Sequence, residues 1–394
     1  MSGGVPPAAP TTRAGSPRGR AGRYGALVLV AMLPMLLASY RHYLFWGEAV
    51  ADWVPGALNA GELGAVLLFT AASCLLLRRG LGAVAAGSLD EAGAWRVGLG
   101  LCALGLLCLP ILSEDLFSYV GRGRLLALHG GNPWVDLASR TMPGDPALPL
   151  MKGWADFPLP YGPLLALGNA ALAAVGDLWP SGAGGRVWAG LFLVKLTTVL
   201  GLLLAARALC ALVPRADGAR RTRLLVLFLW NPFVVLEFAV DGHNDVFLVL
   251  PLLWGLGLAG RAGLGLVLAT LAKPTALAAG PVLLATEARR GALGRFAVAA
   301  AAGAALLAGA WALWWSGPGG LDWIARQRGI GGASLQALCL GVLPLSREAV
   351  QLGGAAVVAV LCLLLALRLR GDPWPALVAT FLATHLVGLP VAHP

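Results

Sequence analysis

The sequence is poor in charged residues. Asp, Glu, Lys and Arg make up 12% of its 394 residues, whereas 58% are hydrophobic and the mean hydropathy is +0.77. Soluble domains usually carry about 25% charged residues, so a soluble globular protein is excluded. We expect an all-α fold, a polytopic membrane bundle with about nine full transmembrane helices and one broken or re-entrant pair of half-helices.

Cysteine is also scarce, and its placement excludes two classes of site. The six cysteines lie mostly inside apolar runs, without a C-x-x-C pair and without histidine at metal-ligand spacing. A disulfide framework and a zinc site are therefore not expected. The sequence demands no metal or other cofactor, although its acids and amides do not exclude a divalent cation.

Internal repeats are not visible, which disfavours a secondary transporter. The net charge of +10 does not indicate a nucleic-acid partner. The bases stand in short clusters between apolar runs, as the positive-inside rule predicts for cytoplasmic loops.

The pattern of apolar runs predicts the organisation of the chain in a plasma membrane. Residues 1–23 are rich in Pro, Gly, Ser and Thr and contain no acid, which predicts a disordered cytoplasmic tail. Residues 24–394 would form the membrane domain. The first apolar run leaves the cytoplasm, the second returns and the third leaves again, so residues 113–183 form a first large loop outside. A second outer loop is expected at 316–349.

The arginine clusters fall on the cytoplasmic side only if two of the apolar segments do not cross the membrane completely. Residues 161–180 begin with Pro and Gly, and we expect a juxtamembrane or re-entrant helix on the outer face. Residues 262–287 contain "AKPT", which predicts two half-helices that carry Lys273 toward that face.

The stretch "SEDLFSYVGRGRLLALHGGNPW" follows directly on an apolar run. In a helix, Asp115, either Ser118 or Tyr119, and Arg122 share one face. A carboxylate can take a proton from an attacking hydroxyl and a guanidinium can bind a departing phosphate, which suits transfer from a phosphate-activated donor. The alternative is that Glu114, Asp115, Arg122 and Arg124 are solvent-exposed residues in the first turns of a loop helix.

A second polar cluster, "DGHND", follows another apolar run on the same predicted side. It holds Asp241, His243, Asn244 and Asp245, and a simple loop cap is the alternative. Two such clusters on one membrane face favour a site.

Glu237 lies about one turn before the end of the apolar run that precedes "DGHND". An acid inside the membrane is costly and usually has a partner. We expect Lys195 or Lys273 to be that partner, although Lys195 equally suits a snorkelling side chain.

The second outer loop contains "WWSGPGGLDWIARQRG". Two of its three tryptophans are typical of an interfacial aromatic belt. Arg326 and Arg328 lie outside against the positive-inside trend, which indicates binding of an anionic head group or a pyrophosphate-like group.

Four segments in this order resemble one family of membrane enzymes. They are "SEDLFSYVGRGRLLALHGGNPW", "PLPYGPLLALG", "LWNPFVVLEFAVDGHNDVF" and "LAKPTALAAGPVLL". The chain is similar over residues 97–394 to GT-C glycosyltransferases, most of all to the actinobacterial polyprenol-phosphate-mannose-dependent α-1,6-mannopyranosyltransferases. It stops at "GLPVAHP" where relatives continue, so a fragment or a shortened member is expected.

The resemblance implies an inverting transfer of a sugar, mannose by analogy, from a polyprenyl-phosphate donor to a glycan or glycolipid hydroxyl outside the cell. Asp115 would be the general base, assisted by Glu114 or Asp245. Donor phosphate would be bound by Arg122, Arg124, Lys273, Arg326 and Arg328. Substrate would also contact Tyr119, Asn132, Tyr161, His243 and Asn244. The alternative function is a lipid-linked sugar flippase or transporter without catalysis.

Overall fold

The computed structural model describes residues 17–44, 60–257, 260–314, 317, 346–368 and 373–383. Within these ranges every regular element is helical, which confirms the all-α expectation. The α-helices are α1 (Pro17–Leu44), α2 (Ala60–Ala85), α3 (Glu91–Leu107), α4 (Asp115–His129), α5 (Ala138–Thr141), α6 (Leu148–Met151), α7 (Pro163–Asp177), α8 (Ala183–Ala211), α9 (Gly218–Leu229), α10 (Pro232–Val234), α11 (Val246–Leu256), α12 (Ala262–Ala272), α13 (Gly280–Arg289), α14 (Leu293–Ala312), α15 (Arg347–Arg368) and α16 (Trp374–Ala383).

Three described helices are long and apolar enough to cross a membrane, namely α2, α8 and α14. A fourth span forms if α9 and residues Pro232–Val240, which meet at a 52° bend, are taken together. The shorter apolar helices are Tyr24–Tyr40, Pro163–Asp177, Val246–Leu256, Ala262–Ala272 and Leu352–Arg368. The expected nine full spans are therefore not confirmed by helix length.

The break predicted at "AKPT" is present. α12 ends at Ala272, Lys273 is extended, a 3-10 turn covers Pro274–Ala279, and α13 follows. Proline lacks the N–H that would continue the helix, so α12 ends directly before Pro274.

The predicted first outer loop is itself largely helical. α4, α5, α6 and α7 lie within it, together with a 3-10 turn at Lys152–Asp156. α7 begins at Pro163, in the first helical position that proline favours. At the other end of the chain, α1 begins at Pro17, inside the segment predicted as a tail.

Close backbone contacts hold the helices of this loop to one another. α4 approaches the backbone of α7 at Gly123, where an added Cβ would lie 2.3 Å from the Asn169 carbonyl oxygen.

At the end of the bundle where α9 starts, the Arg221 guanidinium binds both Glu91 carboxylate oxygens at 2.8 Å. The bundle core joins α1, α2, α3, α8 and α9 around fully buried Trp230, whose Nε1 donates to the Ala94 carbonyl at 3.0 Å.

Candidate active site

The two polar clusters predicted from the sequence meet at one end of the bundle. Asp115 is the first residue of α4, directly after the irregular segment that follows α3. Residues 241–245 follow a π-helical turn, Val235–Val240, that continues α10. The break between α12 and α13 brings Lys273 to the same place.

Asp115 makes side-chain contacts with Tyr119 and His243. Its Oδ2 accepts a hydrogen bond from the Tyr119 hydroxyl at 3.2 Å and lies 3.3 Å from His243 Nδ1. Tyr119 follows one turn later on α4, so the helix itself sets the first contact. The Asp115 side chain is 20% exposed, which leaves it open to a substrate.

His243 and Asp115 form a charged pair. Burial alone would lower the pKa of His243, but contact with Asp115 and the charges of Glu237 and Asp241 raise it to about 9. Burial alone would raise the pKa of Asp115, but His243, Lys273 and Tyr119 together lower it. At neutral pH the imidazole is protonated and the carboxylate is ionised.

Lys273 lies beside this pair and is held by two groups. Its Nζ donates to Asp245 Oδ1 at 2.6 Å and lies 5.0 Å from the centre of the Tyr161 ring. The Tyr161 hydroxyl is 3.5 Å from the Tyr119 hydroxyl. A chain of contacts thus links Asp115 to Lys273 through the two tyrosines.

Asp241 anchors the segment that leads into α4. One of its oxygens accepts hydrogen bonds from the backbone N–H groups of Ile111 at 2.8 Å and Leu112 at 3.2 Å. Burial raises the pKa of Asp241 to about 6, although His243 and these two N–H groups favour the ionised form. Buried Lys195, in α8, donates to the carbonyl of Cys108, which lies in the same segment before α4. The entry to α4 is therefore fixed from two other helices.

Arg122 does not join the carboxylates. It is 4% exposed, and its guanidinium donates to Ser118 and to three backbone carbonyls of the loop, Trp154 at 3.2 Å, Phe157 at 2.8 Å and Pro158 at 3.5 Å. A buried arginine with these acceptors pins the 3-10 turn onto α4.

Arg124 is also bound within the loop. Its Nε lies 3.0 Å and 3.1 Å from the two Asp145 oxygens, and its Nη1 lies 3.1 Å from Asp177. His129 Nε2 contacts the same Asp145 at 2.8 Å. Both carboxylates already compensate its charge, so Arg124 is a poor candidate for a phosphate ligand.

Comparison with known proteins decides the family. A sequence profile described as alpha-(1->6)-mannopyranosyltransferase, N-terminal domain, matches residues 21–289. The chain belongs to this alpha-(1->6)-mannopyranosyltransferase family. The match contains every contact described above for this site, from Cys108 to Lys273.

One curated relative supports the same assignment. Alpha-(1->6)-mannopyranosyltransferase A of Mycobacterium tuberculosis (strain ATCC 25618 / H37Rv) is 29% identical over 227 residues, which cover 56% of this chain and 42% of that relative. The chain thus aligns with less than half of that mannopyranosyltransferase. No solved structure matches the chain.

The other residues predicted for a mannopyranosyltransferase site have varied positions. Asn132 bridges the loop to the end of α14, because its Nδ2 donates to the Trp314 carbonyl at 2.8 Å. Asn244 is 3% exposed, and its amide has no hydrogen-bond partner among the described residues. Glu114 is half-buried at the N-cap of α4 without a side-chain capping bond. Arg326 and Arg328 lie outside the described residues.

Sequence reasoning gave Glu237 the wrong partner. Lys195 and Lys273 are bound elsewhere, and the Glu237 carboxylate instead lies 3.3 Å from His243 Nε2. It also assigned no role to Asp241 in anchoring the α4 entry. The sequence shows only that Glu237 and Asp241 lie near the end of an apolar run, and this position does not identify the groups that they contact.

Proposed function

We propose that the chain is a GT-C mannosyltransferase that transfers mannose from a polyprenyl-phosphate donor to a hydroxyl of a glycan or glycolipid. The observation that carries the proposal is the position of the partly exposed Asp115 carboxylate, 3.3 Å from His243 Nδ1, at the place where Lys273 pairs with Asp245. Family membership supports mannose as the sugar.

Asp115 is proposed as the general base. The acceptor oxygen attacks the anomeric carbon, its proton passes to an Asp115 oxygen, and the bond from that carbon to the phosphate oxygen breaks. A single displacement of this kind inverts the anomeric configuration. Glu114 and Asp245 remain the assisting acids in this proposal, with Asp245 orienting Lys273.

The departing lipid phosphate gains one negative charge as it leaves. Lys273 and the imidazolium of His243 are the described cations placed to stabilise it. Arg326 and Arg328 are proposed to add to this site. Arg122 and Arg124 act instead as positioning residues, because their guanidinium groups hold the loop together. Tyr119, Tyr161, Asn132 and Asn244 are proposed to shape the sugar site.

The site is proposed to face the extracytoplasmic side of the plasma membrane, with the N-terminus in the cytoplasm. The bent span that ends at residue 240 has Arg220, Arg221 and Arg223 near its start. The arginines that end α13 lie near that start, because Arg290 donates to the Leu256 carbonyl, Gly257 lies against Leu212, and Arg221 donates to the Val213 carbonyl. Arginine clusters mark cytoplasmic ends, which supports placing the opposite end outside.

Transfer by the purified protein in liposomes tests this function. Labelled polyprenyl-phosphate mannose is expected to pass its label to a glycolipid acceptor, whereas labelled nucleotide-diphosphate mannose is not. Label that crosses the bilayer on its original lipid without reaching the acceptor would instead identify a flippase.

A further inference from the structure

Glu237 occupies a position that the chemistry above does not use. It lies in the π-helical turn Val235–Val240, and its carboxylate contacts the far side of the His243 ring at 3.3 Å. His243 Nδ1 lies at the same distance from Asp115. The imidazole therefore stands between two carboxylates, one on each ring nitrogen.

Backbone hydrogen bonds and a left-handed glycine place Glu237 and His243 next to each other. The Asp241 N–H donates to the Leu236 carbonyl, five residues back, and the His243 N–H donates to the Glu237 carbonyl at 2.8 Å. Gly242 between them has φ +74°, a left-handed conformation that glycine adopts without strain. π-Helical turns are rare and are frequent at functional sites.

Two carboxylate neighbours fix the protonation of the ring. A neutral imidazole has one N–H and one lone pair, so one nitrogen would face a carboxylate oxygen without a proton between them. Only the imidazolium satisfies both neighbours.

We propose that Glu237 is a positioning residue that keeps His243 doubly protonated, so that the imidazolium holds Asp115 oriented toward the acceptor hydroxyl. The groups that face His243 are Asp115 from α4 and, from its own segment, Glu237 and Asp241. Lys273, paired with Asp245, acts on Asp115 from the break after α12. Among these groups Glu237 is the anion that contacts the His243 nitrogen directed away from Asp115.

The pH dependence of transfer by Glu237→Gln tests this role. Glutamine keeps the size and an acceptor oxygen but removes the charge. Since an anion nearby raises the pKa of a histidine, its removal lowers that pKa. A neighbouring charge shifts a pKa by about one to three units, and Glu237 is 41% exposed, so a shift of about one unit is expected.

The expected result is a basic limb of the kcat/KM profile displaced to lower pH by about one unit, with the acid limb unchanged or slightly lower. Asp177→Asn is the matched control, because Asp177 is a partly exposed acid that contacts Arg124 in the loop and Arg186 in the first turn of α8. Its profile should keep both limbs in place. Wild-type limbs in Glu237→Gln would overturn the proposal.

A double-mutant cycle with His243→Gln provides a second measurement, for use even if the single variant is poorly active. If Glu237 acts through His243, the loss caused by Glu237→Gln should disappear in the His243→Gln background. Fully additive losses would show that Glu237 acts otherwise.

Because the inference rests on the proposed function, Asp115→Asn is measured in parallel. Retained transfer in Asp115→Asn would contradict the proposed function itself. An inactive Asp115→Asn together with a wild-type pH profile in Glu237→Gln would contradict only the role of Glu237.

Discussion

Replacing Asp115 with asparagine is expected to lower the rate of mannosyl transfer by about 10²- to 10⁴-fold, the usual contribution of a general base. Asparagine has nearly the same shape, and its oxygen can still accept the Tyr119 hydroxyl that lies 3.2 Å from Asp115. It cannot take a proton from the acceptor. The loss should therefore appear in kcat, with donor binding close to that of the wild type.

Glu114→Gln is the matched variant for this experiment. Glu114 is the adjacent carboxylate, but it stands at the N-cap of α4 and does not share the contacts of Asp115 with Tyr119 and His243. We expect a much smaller loss than in Asp115→Asn. The reverse order of the two losses would assign the base to Glu114.

Replacing Gly162 with alanine is expected to reduce transfer at least about tenfold through displacement of Tyr161 and Lys273. The Gly162 N–H donates to the Ala272 carbonyl at 2.9 Å, and an added Cβ would lie 2.2 Å from the Leu271 carbonyl oxygen. The obstructing atoms belong to the backbone and cannot rotate away. Overpacking of this kind costs about 1–3 kcal/mol, so thermal unfolding of the purified protein should also occur at lower temperature.

Gly168→Ala in α7 is the control for the Gly162 variant. A Cβ at Gly168 would have no atom within 4 Å, and alanine is favoured over glycine inside a helix by about 0.5–1 kcal/mol. Transfer and stability should match or slightly exceed those of the wild type. Equal activity in the two variants would show that the contact between Gly162 and α12 does not position the site.

The features that follow from local pattern were predictable from the sequence. Proline in "AKPT" predicted the break at Lys273, and proline and glycine in "YGP" predicted the start of α7. Two polar clusters after apolar runs predicted that Asp115 and residues 241–245 would face the same side of the membrane. In the structure, His243 Nδ1 lies 3.3 Å from Asp115 Oδ2.

Pairings between distant segments were not predictable in the same way. Helical spacing put Arg122 on the face of Asp115, but it does not reveal that the carbonyls of residues 154–158 surround the guanidinium. A regular helix was assumed through Glu237, whereas the π-helical turn alters the register and brings its carboxylate to His243. Counting apolar runs also cannot distinguish a full span from a shorter apolar helix such as α11 or α12.

The most direct test of the central claim is the anomeric configuration of the product that the purified protein forms from polyprenyl-phosphate mannose of defined configuration. A single displacement assisted by Asp115 predicts a product anomer opposite to that of the donor. The anomer is read by NMR from the one-bond coupling constant between C1 and H1 of the transferred mannose. A product with the donor's own configuration would contradict the mechanism, and no product from this donor would contradict the proposed substrate.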